Sequence, residues 1–428
     1  MQALVIEGMH PLRGSVPVHG SKNGALPLLA AALLAPGRTV LHHCPRLTDV
    51  QTTMEILRHL GAGCGWEGGT LWVDASAVTG TAIPEELMRR QRASVLFLGA
   101  LLARCGEATL STPGGCALGE RPVDLHLSLL RQLGAEVGQQ GDRIFCRGAA
   151  LPGGEAYLSY PSVGATENFL LAAQGCAGPS RLLGAAMEPE IGELAELLCA
   201  MGARIEGVGT PVLTVYPAGA PRSTEHTVRA DRIEAATLLC AAVSAGGAVE
   251  LTGVEPSALH PVLDVLWQTG SEIRCTDMSV RLRAPERPRA PERVVTAPWP
   301  GFPTDAQAPL MAALLRCCGT TQIREQVFQS RFHHVPELRR MGAVIETDGP
   351  LATITGVPSL RGTHLQGCEL RGTAALAVAA LGAEGESVVT GLEFLDRGYE
   401  NIKNLLSELG AAIKRVEISP DVVYNKIP

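Results

Sequence analysis

The sequence predicts an α/β protein built from six similar units of about 70 residues each. A phrase made of Leu, any two residues, an apolar residue and Gly-Ala occurs six times, with Thr and Gly-Ser replacing the last three residues in one copy. A helix that ends in a left-handed glycine and continues into a strand has this form. The spacing is too long for a solenoid of 20–50-residue repeats. The glycines of the six copies are Gly61, Gly134, Gly202, Gly270, Gly342 and Gly410.

A second phrase, a glycine followed by a short β-prone run, comes before each copy of the first. Each of these glycines follows an Ala/Leu-rich stretch, such as residues 25–35, 93–104 and 374–383, which predicts a helix. These helices are apolar nearly all round, which indicates burial on every side. Each unit therefore contains helix, strand, helix and further strands, with the helices inside and the sheets outside. Two domains of three units each are the natural division.

Composition and charge exclude several classes of protein. Hydrophobic residues make up 46% of the 428 residues and charged residues 18%, which favours large cores and excludes extensive disorder. A net charge of −7 and an aromatic content of 4% argue against a nucleic-acid partner. The apolar run at 24–34 is too short to span a bilayer, and no signal peptide is recognised. We therefore expect a cytoplasmic protein without a membrane segment.

The twelve cysteines predict neither a metal site nor a disulfide scaffold. None forms a Cys-x-x-Cys pair, and no Cys/His cluster has zinc spacing. Most lie in apolar runs, where thiols behave as small hydrophobes; Cys199, Cys240 and Cys317 are examples. This usage fits a reducing compartment, and we expect neither a metal nor another cofactor.

Ordered motifs along nearly the whole chain carry a family resemblance. The first two are Gly-Ser-Lys-Asn-Gly-Ala-Leu-Pro at 20–27 and Pro-Gly-Gly-Cys-Ala-Leu-Gly-Glu-Arg-Pro-Val-Asp-Leu-His at 113–126. Further matching motifs lie at residues 92–94, 162–166, 188–191, 231–234, 302–307, 328–338 and 396–400. The set resembles the UDP-N-acetylglucosamine 1-carboxyvinyltransferase family, the enolpyruvyl transferases of bacterial peptidoglycan precursor synthesis.

The resemblance implies the enolpyruvyl transferase fold, a two-domain inside-out α/β barrel with three βαβαββ-type units per domain. One domain would span 21–229 and the other 1–20 plus 230–428, with the active site in the cleft between them. The implied reaction moves the enolpyruvyl group of phosphoenolpyruvate onto the 3-hydroxyl of UDP-N-acetylglucosamine and releases phosphate. It requires cations for the anionic substrate, a proton donor, a base and exclusion of water.

The resemblance also assigns the cations. Lys22, Arg121 and Arg397 match residues that surround the phosphate of phosphoenolpyruvate. Arg371 matches a carboxylate-binding arginine, and Arg331 matches a further arginine of the cleft. Arginine offers a planar fork for oxyanions, whereas lysine is a compact point charge, so the two residue types are not interchangeable here.

Cys116 and Asp305 are the remaining catalytic candidates, beside Lys22 and Arg397. Cys116 lies in a glycine-rich segment that predicts a mobile loop, and the nearby Arg121 favours its thiolate form. By resemblance Cys116 is the proton donor, forms a covalent adduct with phosphoenolpyruvate and is alkylated by fosfomycin, so we expect sensitivity to that inhibitor. Asp305 precedes an Ala/Leu helix and could be a plain helix cap, whereas the resemblance makes it the base near the sugar hydroxyl.

The expected contacts to the nucleotide sugar also follow from the resemblance. They are Arg92, Arg121, Pro122, Val123, Asp124, Leu125, Tyr160, Pro161, Ser162, Val163, Asp305 and Val327. Asn23 resembles a side-chain amide that orients substrate groups. Glu369 is assigned to the substrate-binding set with one departure, because the family usually has aspartate there. Two alternatives stay open: 5-enolpyruvylshikimate-3-phosphate synthase, which shares the fold and the enolpyruvyl donor, and a non-catalytic paralogue that binds UDP-sugars.

Overall fold

The computed structural model describes residues 1–111 and 123–418, and these residues divide into two compact units. Unit I comprises residues 20–111 and 123–229. Unit II comprises residues 1–19 and 230–418. The chain therefore starts in unit II, crosses into unit I near residue 20 and returns near residue 230. The predicted cleft between domains stays a prediction.

Seven helices are described in each unit. Those of unit I are α1 (Lys22–Ala31), α2 (Thr48–His59), α3 (Glu85–Arg90), α4 (Phe97–Cys105), α5 (Asp124–Gln132), α6 (Val163–Ala172) and α7 (Pro189–Ala200). Those of unit II are α8 (Arg232–Ala245), α9 (His260–Gln268), α10 (Thr304–Leu314), α11 (Val335–Arg340), α12 (Leu370–Leu381), α13 (Leu392–Leu395) and α14 (Ile402–Glu408).

The strands, in chain order, are β1 (Gln2–Glu7), β2 (Leu12–Pro17), β3 (Arg38–His42), β4 (Gly63–Glu67), β5 (Thr70–Asp74), β6 (Ala82–Ile83), β7 (Glu107–Ser111), β8 (Glu136–Gln140), β9 (Arg143–Arg147), β10 (Gly154–Tyr157), β11 (Ser180–Leu183) and β12 (Arg204–Glu206). They continue as β13 (Val212–Tyr216), β14 (Glu225–Thr227), β15 (Gly247–Thr252), β16 (Glu272–Thr276), β17 (Ser279–Arg283), β18 (Arg293–Val295), β19 (Thr320–Arg324), β20 (Val344–Asp348), β21 (Leu351–Thr355), β22 (His364–Gln366), β23 (Glu386–Thr390) and β24 (Ala412–Glu417).

The described strands form six four-stranded sheets with one shared plan. Two parallel strands lie at one edge, and an antiparallel pair of strands completes the other edge. The orders are β14-β3-β5-β4, β6-β7-β9-β8 and β10-β11-β13-β12 in unit I, and β2-β15-β17-β16, β18-β19-β21-β20 and β22-β23-β1-β24 in unit II. The prediction of six βαβαββ-type units is confirmed.

Three strands pair with strands that are distant in sequence, and each sheet nevertheless lies within one unit. Strand β2 comes before α1 in sequence but pairs in parallel with β15 of unit II. Conversely, β14 comes before α8 but pairs in parallel with β3 of unit I. Strand β1 completes the last sheet by pairing between β23 and β24.

The repeated phrase is a helix C-terminal motif. In the first copy, the Gly61 N–H donates to Arg58 O at 3.0 Å and the Ala62 N–H donates to Leu57 O at 2.9 Å. This is the Schellman arrangement, which requires a left-handed residue at the glycine position. All six repeated glycines have positive φ, between 87° and 115°. Glycine adopts this conformation without steric penalty, which explains why the residue recurs.

The divergent fourth copy closes its helix with side chains. Thr269 Oγ1 donates to Leu266 O at 2.6 Å and lies 2.9 Å from Ser271 Oγ. The threonine hydroxyl thus donates to the Leu266 carbonyl. In the first copy the equivalent carbonyl, Leu57 O, accepts from the Ala62 N–H. Thr269 and Ser271 therefore depart from the phrase together because their hydroxyls contact each other.

The longest apolar helices lie at the centres of the units, as predicted. All fourteen residues of α8 are buried, and α8, α10 and α12 pack on one another in unit II. In unit I, α4 packs on both α1 and α6. A Cβ on Gly99 of α4 would lie 2.5 Å from Asn168 O of α6, so this close approach requires glycine. Across the described residues, every helix is too short or too polar to cross a bilayer.

Candidate active site

The expected site residues lie at the N-terminal ends of the central helices. Lys22 opens α1, Val163 opens α6, and Asp305 is in the first turn of α10. Capping side chains hold two of these ends: Ser21 Oγ accepts from the Gly24 N–H, and Ser162 Oγ accepts from the Ala165 N–H. The positive end of the helix dipole and the exposed N–H groups favour anions at such positions.

In unit II, three expected site residues contact one another. Arg331 Nη2 donates to Asp305 Oδ1 at 2.7 Å, and Arg371 Nη2 donates to Asp305 Oδ2 at 3.0 Å. Both arginine side chains are 2% exposed, whereas the Asp305 side chain is 27% exposed. The carboxylate therefore keeps one accessible side while two buried guanidinium groups fix its orientation.

Aromatic rings lie against both guanidinium groups. Arg331 Cζ is 5.2 Å from the centroid of the Phe328 ring, and Arg371 Cζ is 5.2 Å from that of Tyr399. The Tyr399 hydroxyl is in turn 2.9 Å from Thr237 Oγ1 on α8. Cation–π contacts are stronger where both groups are removed from water, so these rings stabilise the arginine positions.

Several buried polar atoms near Asp305 have no hydrogen-bond partner among the described residues. They are Arg331 Nε, the nitrogen and oxygen of the Gln307 side-chain amide on α10, and both ring nitrogens of His334. Burial, with a smaller effect of Arg331, lowers the pKa of His334 to about 3, so the ring is neutral near pH 7. Buried polar groups are normally satisfied by protein, water or ligand. Their concentration here favours a site for a polar ligand.

The alternative interpretation of Asp305 as a plain helix cap is wrong. The N-cap of α10 is Pro303, and Asp305 is the second residue of the helix. Its carboxylate accepts hydrogen bonds from Arg331 and Arg371. An aspartate in a first helical turn has no sequence signal that distinguishes these two roles.

Glu325 is a site residue that the sequence analysis missed. It is 2% exposed, and its Oε1 accepts hydrogen bonds from Thr296 Oγ1 and from the Val327 N–H, both at 2.8 Å. Its Oε2 accepts from Thr304 Oγ1 at 2.9 Å. Glu325 thus links the turn at Val327 to Thr304, the residue that precedes Asp305. Only long-range contacts show this role, so no local motif could have revealed it.

In unit I, Lys22 is paired with a residue that was also missed. Lys22 Nζ lies 2.8 Å from Asp49 Oδ2, and the two side chains are 12% and 4% exposed. Asp49 lies in the first turn of α2, where an acidic residue is ordinarily explained by the helix dipole. The ion pair instead fixes the direction of the Lys22 side chain.

The other expected contacts of unit I occupy four segments. Arg92 opens a short 3₁₀ turn, residues 92–96, before α4. Val123 is the N-cap of α5, which begins with Asp124 and Leu125. Ser162 caps α6, where Tyr160, Pro161 and Val163 adjoin it and the Tyr160 side chain is 40% exposed. Asn23 is the second residue of α1.

Comparison with known proteins decides the family. The sequence profile of EPSP synthase (3-phosphoshikimate 1-carboxyvinyltransferase) matches residues 6–406. UDP-N-acetylglucosamine 1-carboxyvinyltransferase 2 of Caldanaerobacter subterraneus is 43% identical over 96% of this chain and 99% of its own. UDP-N-acetylglucosamine 1-carboxyvinyltransferase of Rhodospirillum centenum is 42% identical over 97% of this chain and 99% of its own. This chain belongs to the UDP-N-acetylglucosamine 1-carboxyvinyltransferase family.

Solved structures confirm the predicted enolpyruvyl transferase fold. The enolpyruvyl transferase NikO from Streptomyces tendae is 26% identical, with a TM-score of 0.87 over 98% of this chain and 99% of that one. EPSP synthase from Acinetobacter baumannii is 18% identical, with a TM-score of 0.74 over 97% of this chain and all of that one. At 18% identity, the similarity to EPSP synthase supports the fold only.

For some residues expected from the family, the assigned role stays a prediction. Cys116, Arg121 and Pro122 lie outside the described residues. Arg397 follows α13, and its backbone N–H donates to Phe394 O at 3.3 Å. The catalytic assignments of Cys116 and Arg397 therefore stay predictions from the family resemblance.

The cysteines depart from one expectation. Cys240 and Cys317 are buried as predicted, but Cys199 on α7 is exposed. The helix is apolar enough to suggest full burial, yet Cys199 lies on its outer face beside the exposed Ala200. Within the described ranges, no three His, Cys, Asp or Glu side chains are grouped so that they could hold a metal ion.

Glu369 is the N-cap of α12, at a position where the family usually has aspartate. Its Oε2 accepts from the Arg371 N–H at 2.9 Å, and its Oε1 accepts from the Gly372 N–H. Both oxygens therefore bind the helix end that carries Arg371. The longer side chain still forms the cap, so the departure preserves the local structure.

We expect Glu369→Ala to lower the free energy of unfolding by about 1–2 kcal/mol, the usual cost of losing a cap. We also expect kcat/KM to fall, because Arg371 follows directly in the first helical turn. Glu369→Asp should retain both properties. Chemical denaturation and phosphate release measure them, and an alanine variant equal to the wild type in both would contradict a role for this residue.

Proposed function

We propose that this chain transfers the enolpyruvyl group of phosphoenolpyruvate to the 3-hydroxyl of UDP-N-acetylglucosamine, with release of phosphate. The observation that carries the proposal is the 41–43% identity to three enzymes named for this activity, over 96–97% of the chain. The reaction is a step of peptidoglycan precursor synthesis. A cytoplasmic location stays a prediction from the sequence.

The arrangement of side chains supports this chemistry. Within unit II, the two arginines around Asp305 are cations of the kind that a phosphate or a carboxylate requires. Within unit I, Lys22 is the cation that the family resemblance assigns to the phosphate. The accessible side of Asp305 provides an acceptor for the proton of a sugar hydroxyl. Electrostatic positioning of this kind is usually the largest contribution to such catalysis.

Phosphate release tests the proposal directly. The full-length protein is mixed with phosphoenolpyruvate and with either UDP-N-acetylglucosamine or shikimate 3-phosphate. We expect phosphate only with the UDP-sugar. Release only with shikimate 3-phosphate would indicate an EPSP synthase. Binding of the UDP-sugar without any release would indicate a non-catalytic UDP-sugar-binding protein.

Cys116 gives a second prediction, which rests on the family resemblance. We expect fosfomycin to inactivate the wild type and to add one covalent mass increment. Cys116→Asp should retain turnover and resist both effects, because a carboxylate does not react as a thiolate does. Intact-mass analysis and phosphate release measure the two effects.

Cys199→Ser is the matched control, because it removes an exposed thiol of α7. This variant should be inactivated like the wild type. A covalent increment that persists in Cys116→Asp and disappears in Cys199→Ser would contradict the assignment to Cys116.

A further inference from the structure

One buried asparagine joins three segments of unit I that carry expected contacts to the UDP-sugar. Asn168 lies on α6, five residues after Val163, and its side chain is fully buried. Its amide contacts Val95 in the turn that Arg92 opens, Gly99 of α4, and His126 of α5. The sequence analysis assigned no role to Asn168.

Two backbone groups fix the orientation of the Asn168 amide. Asn168 Oδ1 accepts from the Gly99 N–H at 2.7 Å, and Asn168 Nδ2 donates to Val95 O at 3.0 Å. A backbone N–H can only donate and a carbonyl oxygen can only accept, so a flipped amide would lose both bonds. The amide orientation therefore needs no further assumption about hydrogen positions.

The fixed amide in turn determines the tautomer of His126. Asn168 Nδ2 lies 2.7 Å from His126 Nδ1, and this nitrogen must accept because Nδ2 is a donor. Burial, followed by the charge of Arg92, lowers the pKa of His126 to about 4, so the ring is neutral near pH 7. A neutral imidazole whose Nδ1 accepts carries its proton on Nε2.

The protonated edge of His126 lies against the start of α6. A Cβ built on Gly164 would be 3.0 Å from His126 Cε1 and 3.5 Å from His126 Nε2. Gly164 follows Val163 directly, and the Ser162 cap and the positive end of the α6 dipole are at the same place. His126 Nε2–H, Arg92 and the α6 N-terminus together suit the diphosphate of a nucleotide sugar.

We propose that Asn168 is a positioning residue for the UDP-sugar: it holds the Arg92 turn and orients His126 so that Nε2–H donates toward the diphosphate. The proposal rests on the proposed function for the identity of the ligand. One side chain thus sets the relative positions of the 92–96 turn, the start of α5 and the start of α6. Glycine is required at position 99, because a Cβ there would lie 2.7 Å from Asn168 Oδ1.

Calorimetric binding of UDP-N-acetylglucosamine without phosphoenolpyruvate tests the proposal independently of turnover. We expect Asn168→Asp to raise the Kd about tenfold or more, because losing one hydrogen bond to a charged group typically weakens binding by at least that factor. A carboxylate can accept from the Gly99 N–H but cannot donate to Val95 O and His126 Nδ1 together. Leu171→Ala is the control, because it changes another buried side chain of α6 that is apolar; its Kd should stay within threefold of the wild type.

A second pair of variants keeps the test decisive if Asn168→Asp fails to fold. His126→Phe preserves a ring but removes both nitrogens, so its Kd should rise as strongly. His126→Gln places an amide N–H near the position of Nε2 and should recover most of the affinity. Equal affinities for His126→Phe and the wild type would overturn the proposal.

Nitrogen NMR of histidine-labelled protein reads the tautomer directly, with His126→Gln to assign the signal. We expect the Nε2–H tautomer of a neutral ring from pH 8 down to pH 5, and an Nδ1–H tautomer would overturn the proposal. A wild type that does not bind the UDP-sugar would overturn both this proposal and the proposed function. Wild-type turnover together with unchanged affinity in Asn168→Asp would overturn only this one.

Discussion

Lys22→Met is expected to lower both turnover and stability. The substitution removes the point charge assigned to the phosphate of phosphoenolpyruvate, and loss of one such electrostatic group typically lowers kcat by about 10²–10³-fold. It also removes the cation that contacts the Asp49 carboxylate, which is 4% exposed. Breaking a buried ion pair by removing one partner typically costs about 3–5 kcal/mol. Phosphate release and chemical denaturation measure the two losses.

The double variant Lys22→Met/Asp49→Asn separates the two effects. The amide removes the buried negative charge, so most of the lost free energy of unfolding should return, whereas turnover should stay low. Lys22→Arg should keep the charge and much of the stability, yet its larger planar group changes the geometry at the phosphate. If the double variant recovered wild-type turnover, Lys22 would have only a structural role.

The repeated helix ends were predictable because their determinants are local. The repeated phrase around Gly61 spans six residues, and its Schellman hydrogen bonds lie within the same span. The pairing of β2 with β15 and of β14 with β3 was not predictable from pattern or period. Each of these strands pairs with a partner more than 180 residues away, and only the family resemblance indicated where the chain crosses.

The site was predictable in its charged residues but not in the residues that hold them. Lys22, Asp305 and Arg371 belong to recognisable motifs, whereas Asp49 and Glu325 act through partners distant in sequence. Asp49 resembles an ordinary residue of a helix start, and Glu325 follows a strand without any motif. Buried polar residues with several long-range hydrogen bonds are therefore the group that sequence reasoning missed here.

Asp305→Asn is expected to lower kcat by about 10²–10⁴-fold, the range attributed to a general base. The amide has nearly the same shape as the carboxylate, and its oxygen still accepts a hydrogen bond from one of the two arginines. We therefore expect the affinity for UDP-N-acetylglucosamine, measured by calorimetry, to change by less than threefold. Retained binding with lost turnover distinguishes a base from a residue that only binds the sugar.

Asp305→Leu should behave differently, because it removes the carboxylate that contacts both buried arginines, Arg331 and Arg371. We expect a loss of about 3–5 kcal/mol in the free energy of unfolding in addition to the loss of turnover. Glu67→Gln is the matched control, since it neutralises a carboxylate paired with Arg38 at the surface and should change neither quantity. Wild-type turnover in Asp305→Asn would exclude Asp305 as the base and leave it the role of orienting the two arginines.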